Sequence, residues 1–214
     1  MPLVLKSPKL AIALKIAVHL GALLPLLWLI AAIYANALGG DPVEAIIHFL
    51  GKGAIHLLLL TLCVSPLAKR VKGGLLTRLR RPLGLWCFVY ASLHFAAWFS
   101  LDLQFAWRLI GEEIIKRNYL LVGFTAWCIL FALAVTSIPV MLRKMGSAWK
   151  KLHQWIYLVA VLAPIHYIWS VKSGLAEPLI YLTIALGLLA LRYKILLKPW
   201  RKYLNHRRLN HTDV

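Results

Sequence analysis

Six apolar stretches, at 10–35, 45–66, 82–100, 119–139, 152–171 and 178–197, constrain this chain more than any other feature. Each runs to about 20 residues or a little more, which at 1.5 Å per helical residue crosses a hydrocarbon core about 30 Å thick. Composition agrees. Of the 214 residues 61% are hydrophobic, and the 15% that are charged cannot cover so much apolar surface in water. The expected fold is an all-α membrane protein, a six-transmembrane-helix bundle forming a single membrane domain over 1–214, with a basic tail at 198–214. An even number of spans puts both termini on one side.

A net charge of +18 invites a nucleic-acid reading, but Lys and Arg fall in short clusters between the apolar runs rather than on a separable basic domain. Topology accounts for them. The N-terminus holds two, 68–81 six, 141–151 four and the tail from Arg192 seven, against four on the opposite side (Arg108, Lys116, Arg117, Lys172). Six of the seven acids, Asp41, Glu44, Asp102, Glu112, Glu113 and Glu177, lie on that opposite side. By the positive-inside rule both termini are cytoplasmic.

Lys6, Lys9 and the stretch Ala35-Asn36-Ala37 also resemble a signal peptide with its cleavage site. The apolar run is far longer than the 7 to 15 residues of such a core, so a retained first span is the preferred reading. Cys63, Cys87 and Cys128 are isolated in apolar runs and read as small buried hydrophobes. No GxGxxG fingerprint, P-loop, internal repeat or low-complexity linker is visible, so any redox source is another molecule.

The chemistry rests on histidine. His206 and His211 lie in the basic tail, and six others lie in or beside spans, where an ionisable side chain is costly and needs a partner. A haem between two helices needs imidazoles at matching depth. His94 stands six residues before Ser100 and His166 five before Val171, both on outward-running spans, so both lie about 8 to 9 Å inside the outer boundary. The bland alternative is a pair of interhelical hydrogen bonds.

His153, at the cytoplasmic mouth of the fifth span, lies roughly 20 Å below His166 and would suit a second, inner haem. Thirteen steps of about 100° would turn it some 140° from His166, and the matching level of the third span offers Arg81. Pro164 could kink the helix between them. His19 and His56, near mid-membrane, read as alternative ligands, proton-relay groups or carbonyl-bonded histidines. His48 lies near the outer interface.

Several stretches carry a resemblance when taken in order: Thr61-Leu62-Cys63-Val64-Ser65-Pro66-Leu67; Arg80-Arg81-Pro82-Leu83-Gly84-Leu85-Trp86 through Tyr90 to Leu93-His94; Leu133-Ala134-Val135-Thr136-Ser137; and Trp149-Lys150-Lys151-Leu152-His153 with His166 thirteen later. Over most of its length the chain resembles the MsrQ (YedZ) family, haem-binding membrane subunits of the bacterial periplasmic methionine-sulfoxide reductase system. That family is in turn similar to the transmembrane part of ferric reductases and NADPH oxidases. Trp98 and Asn118 depart from the family pattern, which often has Tyr and Pro there.

The resemblance implies a multi-pass protein of the inner membrane that carries haem b on His94 and His166, with His153 less firmly assigned, and flavin mononucleotide (FMN) near the cytoplasmic side. Quinone or a cytosolic flavin reductase would supply electrons. A periplasmic molybdopterin-containing methionine-sulfoxide reductase subunit would receive them. No catalytic acid, base or nucleophile is required, since the cofactor carries the chemistry. The loop with Arg78, Arg80 and Arg81 could meet a flavin phosphate, although a topology signal explains it as well. Arg108, Lys116 and Arg117 are candidate partners for haem propionates. Trp86, Tyr90, Trp98, Tyr167 and Trp169 cluster around the ligand helices, more as interface anchors than as haem contacts.

Two rivals stand beside this reading. A stand-alone ferric or quinone reductase-like cytochrome b would share the haem fold with a different acceptor. A small transporter or scaffold would be expected to show inverted repeats or paired intramembrane carboxylates.

Overall fold

The computed structural model describes residues 8–70, 74–171 and 173–193, and every regular element among them is helical. In chain order these are α1 (Pro8–Tyr34), α2 (Pro42–Arg70), α3 (Arg80–Ala97), α4 (Trp107–Lys116), α5 (Asn118–Val135), α6 (Pro139–Met145), α7 (Ser147–His153), α8 (Ile156–Ser170) and α9 (Ala176–Ala190). A 3₁₀ turn (Leu76–Leu79) leads into α3, and a π-helical turn (Trp98–Asp102) continues it. The basic tail, with His206 and His211, lies outside the described residues.

Four of these segments are long and apolar enough to cross a membrane: Pro8–Tyr34, Pro42–Arg70, Leu76–Asp102 and Asn118–Val135. The last two expected spans are shorter, since α8 and α9 each have 15 residues. The stretch 152–171 is divided: α7 ends at His153, the chain turns at Gln154 and Trp155, and α8 begins at Ile156. Both turn residues keep right-handed helical dihedrals and bond carbonyls three residues back, so α7 runs into α8 through a 3₁₀-type turn that changes the roughly 140° offset of an ideal α-helix. Pro164 lies inside α8 without ending it.

Local chemistry sets the boundaries. Asp41 Oδ1 accepts the Glu44 backbone N–H at 2.9 Å, and Pro42, with its φ pre-set, opens α2. Gly146, at φ +52, separates α6 from α7 in a conformation that costs glycine little.

Successive long helices run antiparallel, so one end of the bundle gathers the acids Asp41, Glu44, Asp102, Glu112, Glu113 and Glu177. The other end gathers Arg78, Arg80, Arg81, Arg143, Lys144, Lys150 and Lys151. The core is built from two helix pairs, α2 with α3 and α5 with α8, meeting through Leu58, Cys87, Leu130 and the fully buried Val159. Tyr90 ties α1 to α3 by donating to the Ala22 carbonyl at 2.8 Å. Gly53 makes that position available, since a Cβ there would stand 2.3 Å from Tyr90 Cδ1. Elsewhere α1 exposes Ile12, Ile16, Leu20, Leu24 and Leu27, as a helix dissolved in lipid can. On the far side, α9 packs Tyr181 and Ala185 against α8 and α2, and Arg192 donates to the Leu62 carbonyl with its guanidinium 5.6 Å from the Tyr157 ring centroid.

Candidate functional site: a paired histidine centre

The last turn of α3 carries His94, and His166 stands near the end of α8, so both occupy the acidic half of the bundle. Their ring centroids are 6.1 Å apart with planes at 80°. His94 Nδ1 bonds the Ile47 carbonyl of α2 at 2.8 Å, and His166 Nδ1 bonds the Tyr119 carbonyl of α5 at 2.7 Å. A carbonyl only accepts, so each Nδ1 carries the proton and each Nε2 keeps a free lone pair. That is the tautomer a metal-bound imidazole needs, with its far nitrogen anchored to a carbonyl.

Each ring also lies against a glycine one turn beyond its carbonyl. A Cβ on Gly51 would stand 3.1 Å from His94 Nδ1, and one on Gly123 would stand 2.7 Å from His166 Nδ1. Carbonyl, glycine and histidine are thus 47, 51 and 94 in one half and 119, 123 and 166 in the other, a uniform offset of 72 (166 − 94). This corrects the expectation of no internal repeat: α2–α3 and α5–α8 are two copies of one half-site facing each other. The repeat escapes inspection because few identities survive in it, among them Ala54 with Ala126, Leu58 with Leu130 and Ala91 with Ala163. What persists is the close approach of helix to ring.

The pair fits an iron macrocycle. Two imidazoles from different helices, each with Nδ1 anchored and Nε2 unengaged, would suit haem, which asks the protein for nitrogen ligands of this kind. Among the described residues, no three His, Cys, Asp or Glu side chains converge to cage a bare ion. A haem brings four nitrogens of its own and asks the protein for only two.

The other candidates are placed elsewhere. His153 stacks on Trp149 at 3.8 Å, bonds the Trp149 carbonyl of its own helix at 3.2 Å, and keeps a buried Nε2 with no partner. His19 accepts from Trp86 Nε1 at 2.9 Å. His56 Nε2 bonds Tyr181 Oη at 2.8 Å. His48 meets the Tyr167 ring edge-on at 6.1 Å.

Of the candidate propionate partners, Lys116 is paired with Glu112 at 2.9 Å, which holds its ammonium above the usual lysine range, and Arg117 with Glu113; both contacts lie within the acidic end itself. Arg78 and Arg81 line a common cavity with Lys15, His19 and Trp86. Arg80 instead stands within electrostatic reach of Arg192. Among the candidate aromatics, Tyr90 and Tyr167 are buried, whereas Trp169 is exposed.

Sequence reasoning missed one cluster. Lys52 forms an ion pair with Glu177 at 2.8 Å, and Tyr167 and Tyr181 donate to the same carboxylate at 3.1 and 3.0 Å. The signal was present: Glu44, His48, Lys52 and His56 recur every four residues, a polar stripe on an otherwise apolar helix.

Comparison with known proteins places this architecture. Residues 50–164 match the family described as ferric reductase like transmembrane component. The protein-methionine-sulfoxide reductase heme-binding subunit MsrQ of Yersinia pseudotuberculosis serotype O:1b (strain IP 31758) is 51% identical over 191 residues, covering 89% of this chain and 94% of that one. MsrQ of Yersinia pestis (strain Pestoides F) is equally similar, with 93% of its length covered. No solved structure matches the chain. With half its residues identical over nearly its full length, the chain belongs to the MsrQ family of ferric-reductase-like transmembrane proteins.

Proposed function

We propose that this chain is a haem b electron carrier of the bacterial inner membrane, with His94 and His166 as the axial ligands. The observation that carries the reading is the pair itself: two imidazoles from different helices, 6.1 Å apart, each with Nδ1 fixed by a carbonyl and Nε2 free. That relatives are heme-binding subunits by name supports it. The single membrane unit spans 1–214, crosses six times and keeps both termini cytoplasmic. Clustering of Lys and Arg at one end of the bundle supports that orientation, and α8 packs against α5.

When bound, the haem supplies the one-electron chemistry. The chain orients the two imidazoles, keeps both neutral, and surrounds them with apolar helices that exclude water and tune the potential. Electrons enter at the basic, cytoplasmic end, from quinone or a cytosolic flavin reductase, with FMN bound there. They leave at the acidic end to a periplasmic molybdopterin-containing methionine-sulfoxide reductase, which reduces the oxidised methionines. His153 is a further ligand of the basic half.

Purified protein from haem-replete cells should show a six-coordinate, low-spin spectrum, which His94→Ala or His166→Ala abolishes. A haem-free wild-type preparation, or an unchanged spectrum in both variants, ends the reading. For the acceptor, the reduced protein should be reoxidised by the co-encoded periplasmic reductase only when methionine sulfoxide is present. Reoxidation by ferric chelate alone would point to a stand-alone ferric reductase instead.

A further inference from the structure

At the acidic end the chain does not pass straight from α3 to α5 but makes α4 (Trp107–Lys116), a continuation of neither. Two corners set it off. On one side Gln104 (φ +47) and Phe105 (φ +60) follow the π-helical turn in the left-handed region, which residues other than glycine seldom enter. On the other, Arg117 is extended (φ −107, ψ 102) before α5 begins.

At about 100° per residue, Trp107, Ile110, Gly111, Ile114 and Ile115 share an arc of about 140°, with Arg108, Glu112 and Lys116 beside it. Ile110 and Ile114, on one flank of the arc, are half-buried, and α4 packs on α5. Trp107 and Ile115, on the other flank, are 71% and 75% exposed; with Tyr34 they are the most exposed large hydrophobic side chains among the described residues. Phe99 lies 4.4 Å from the Trp107 ring and meets Phe105 edge-on at 5.2 Å, so three aromatics gather where α4 begins. The charges are largely consumed within the element: Lys116 pairs with Glu112 at 2.9 Å and Arg117 with Glu113.

We propose that α4 lies in the plane of the membrane surface at the acidic end, with Trp107 and Ile115 immersed at the boundary between lipid headgroups and acyl chains and Arg108, Glu112 and Lys116 in water. The occupant of the exposed edge is the bilayer rather than a protein. Tryptophan favours that boundary, and a flank whose acids and bases pair with each other offers little charge for a protein partner to match. Along the chain the edge also continues into exposed Leu101 and Leu121, both in segments long enough to cross the lipid. The proposal holds whichever side of the membrane the acidic end faces, and it is independent of haem. What α4 steadies is the start of α5, where Tyr119, two residues beyond the Arg117 corner, offers its carbonyl to His166 Nδ1.

The test places single spin labels on the full chain in phosphatidylcholine nanodiscs, through Trp107→Cys, Ile115→Cys, Glu112→Cys or Leu24→Cys, after Cys63, Cys87 and Cys128 are changed to alanine. Electron paramagnetic resonance then compares collision with oxygen, which concentrates in lipid, and with a nickel chelate confined to water. The oxygen-to-nickel ratio at 107 and 115 should exceed that at 112 by at least about threefold. Leu24, on the exposed face of α1, should be oxygen-rich in any inserted chain. Ratios at 107 and 115 equal to that at 112, with Leu24 oxygen-rich, overturn the proposal. So does shielding of 107 and 115 from both reagents, which is the mark of a protein cover. If the label at Leu24 shows that the cysteine-free chain has not inserted, p-benzoylphenylalanine in place of Trp107, Ile115 or Glu112 in the otherwise unaltered chain decides. Photocrosslinks to phospholipid from 107 and 115 but not from 112 support the in-plane helix, and their absence from 107 and 115 overturns it.

Discussion

Gly123→Ala tests the paired centre at its tightest point. The new Cβ would stand 2.7 Å from Nδ1 and 2.8 Å from Cε1 of His166, where ordinary contact begins at 3.4 Å, so the ring must retreat by about 0.7 Å. Helix propensity pulls the other way, since Ala is favoured over Gly by about 0.8–1.0 kcal/mol in a helix interior. Overpacking of this kind costs about 1–3 kcal/mol, and stretching the Nδ1 bond to Tyr119 adds about 1 kcal/mol. The cost wins by about 1–3 kcal/mol, and it falls on the position of His166, the proposed ligand.

Absorption and electron paramagnetic resonance spectra should therefore show part of the low-spin signal converted to high-spin, with a shifted midpoint potential. Gly51→Ala, whose Cβ would sit 3.1 Å from His94, requires a shift of only about 0.3 Å and should perturb the spectrum less. Gly53→Ala separates position from stability. Its Cβ would strike Tyr90 at 2.3 Å without touching either imidazole, so it should lower thermal stability while leaving the spectrum of the folded fraction unchanged. A wild-type spectrum and potential in Gly123→Ala, or equal spectral changes in all three variants, would refute the assignment of the glycines as positioning residues.

Three further outcomes follow from the same geometry. Lys52→Met should destabilise more than the double variant Lys52→Met, Glu177→Gln, because the single change leaves a carboxylate beside two tyrosines without its cation; thermal unfolding of the set checks this. Ser92→Ala should cost about 1 kcal/mol or less, since it removes only the acceptor of the Trp127 Nε1–H bond at 3.1 Å between α3 and α5. A reporter fused after residue 214 should be active as a cytoplasmic protein and inactive as an exported phosphatase, and the opposite result overturns the proposed orientation.

Much of this organisation is legible in the residues, and the reasons differ by feature. The first four long segments follow from uninterrupted apolar length, a property of sequence alone. The proximity of His94 and His166 follows from counting residues to a boundary, because helical rise converts number into depth. Carbonyl partners are not legible that way. Ile47 and Tyr119 serve through backbone atoms, so their side chains carry no trace of the role. The tightening to a 3₁₀-type turn at Gln154 and Trp155 also escaped, because neither Gly nor Pro marks it, while the proline that suggested a kink, Pro164, lies inside α8. Glu177 was visible as a charge near a boundary, whereas Lys52 lies well inside an apolar stretch and its pairing depends on α9 packing beside α2.

The two-fold arrangement also sharpens what His153 does. Adding the offset of 72 to 81 gives 153, so the counterpart of His153 is Arg81, which faces the basic cavity rather than a matching imidazole. The symmetry that serves the His94 and His166 centre is broken at the basic end. His153 nonetheless keeps a buried Nε2 with no partner, a state worth about 1–3 kcal/mol of destabilisation unless something bonds it. The Leu133 carbonyl also faces this imidazole, so the proposed role as an iron ligand and a purely structural role predict different outcomes. His153→Phe discriminates, because it keeps the stacked ring and removes the nitrogens. If Nε2 binds iron, haem per chain falls while the low-spin signal of the His94 and His166 centre is retained, since neither of those rings touches His153. Were the atom only unsatisfied, haem content would stay constant and the melting temperature would rise as the penalty is relieved; that outcome would remove His153 from the site.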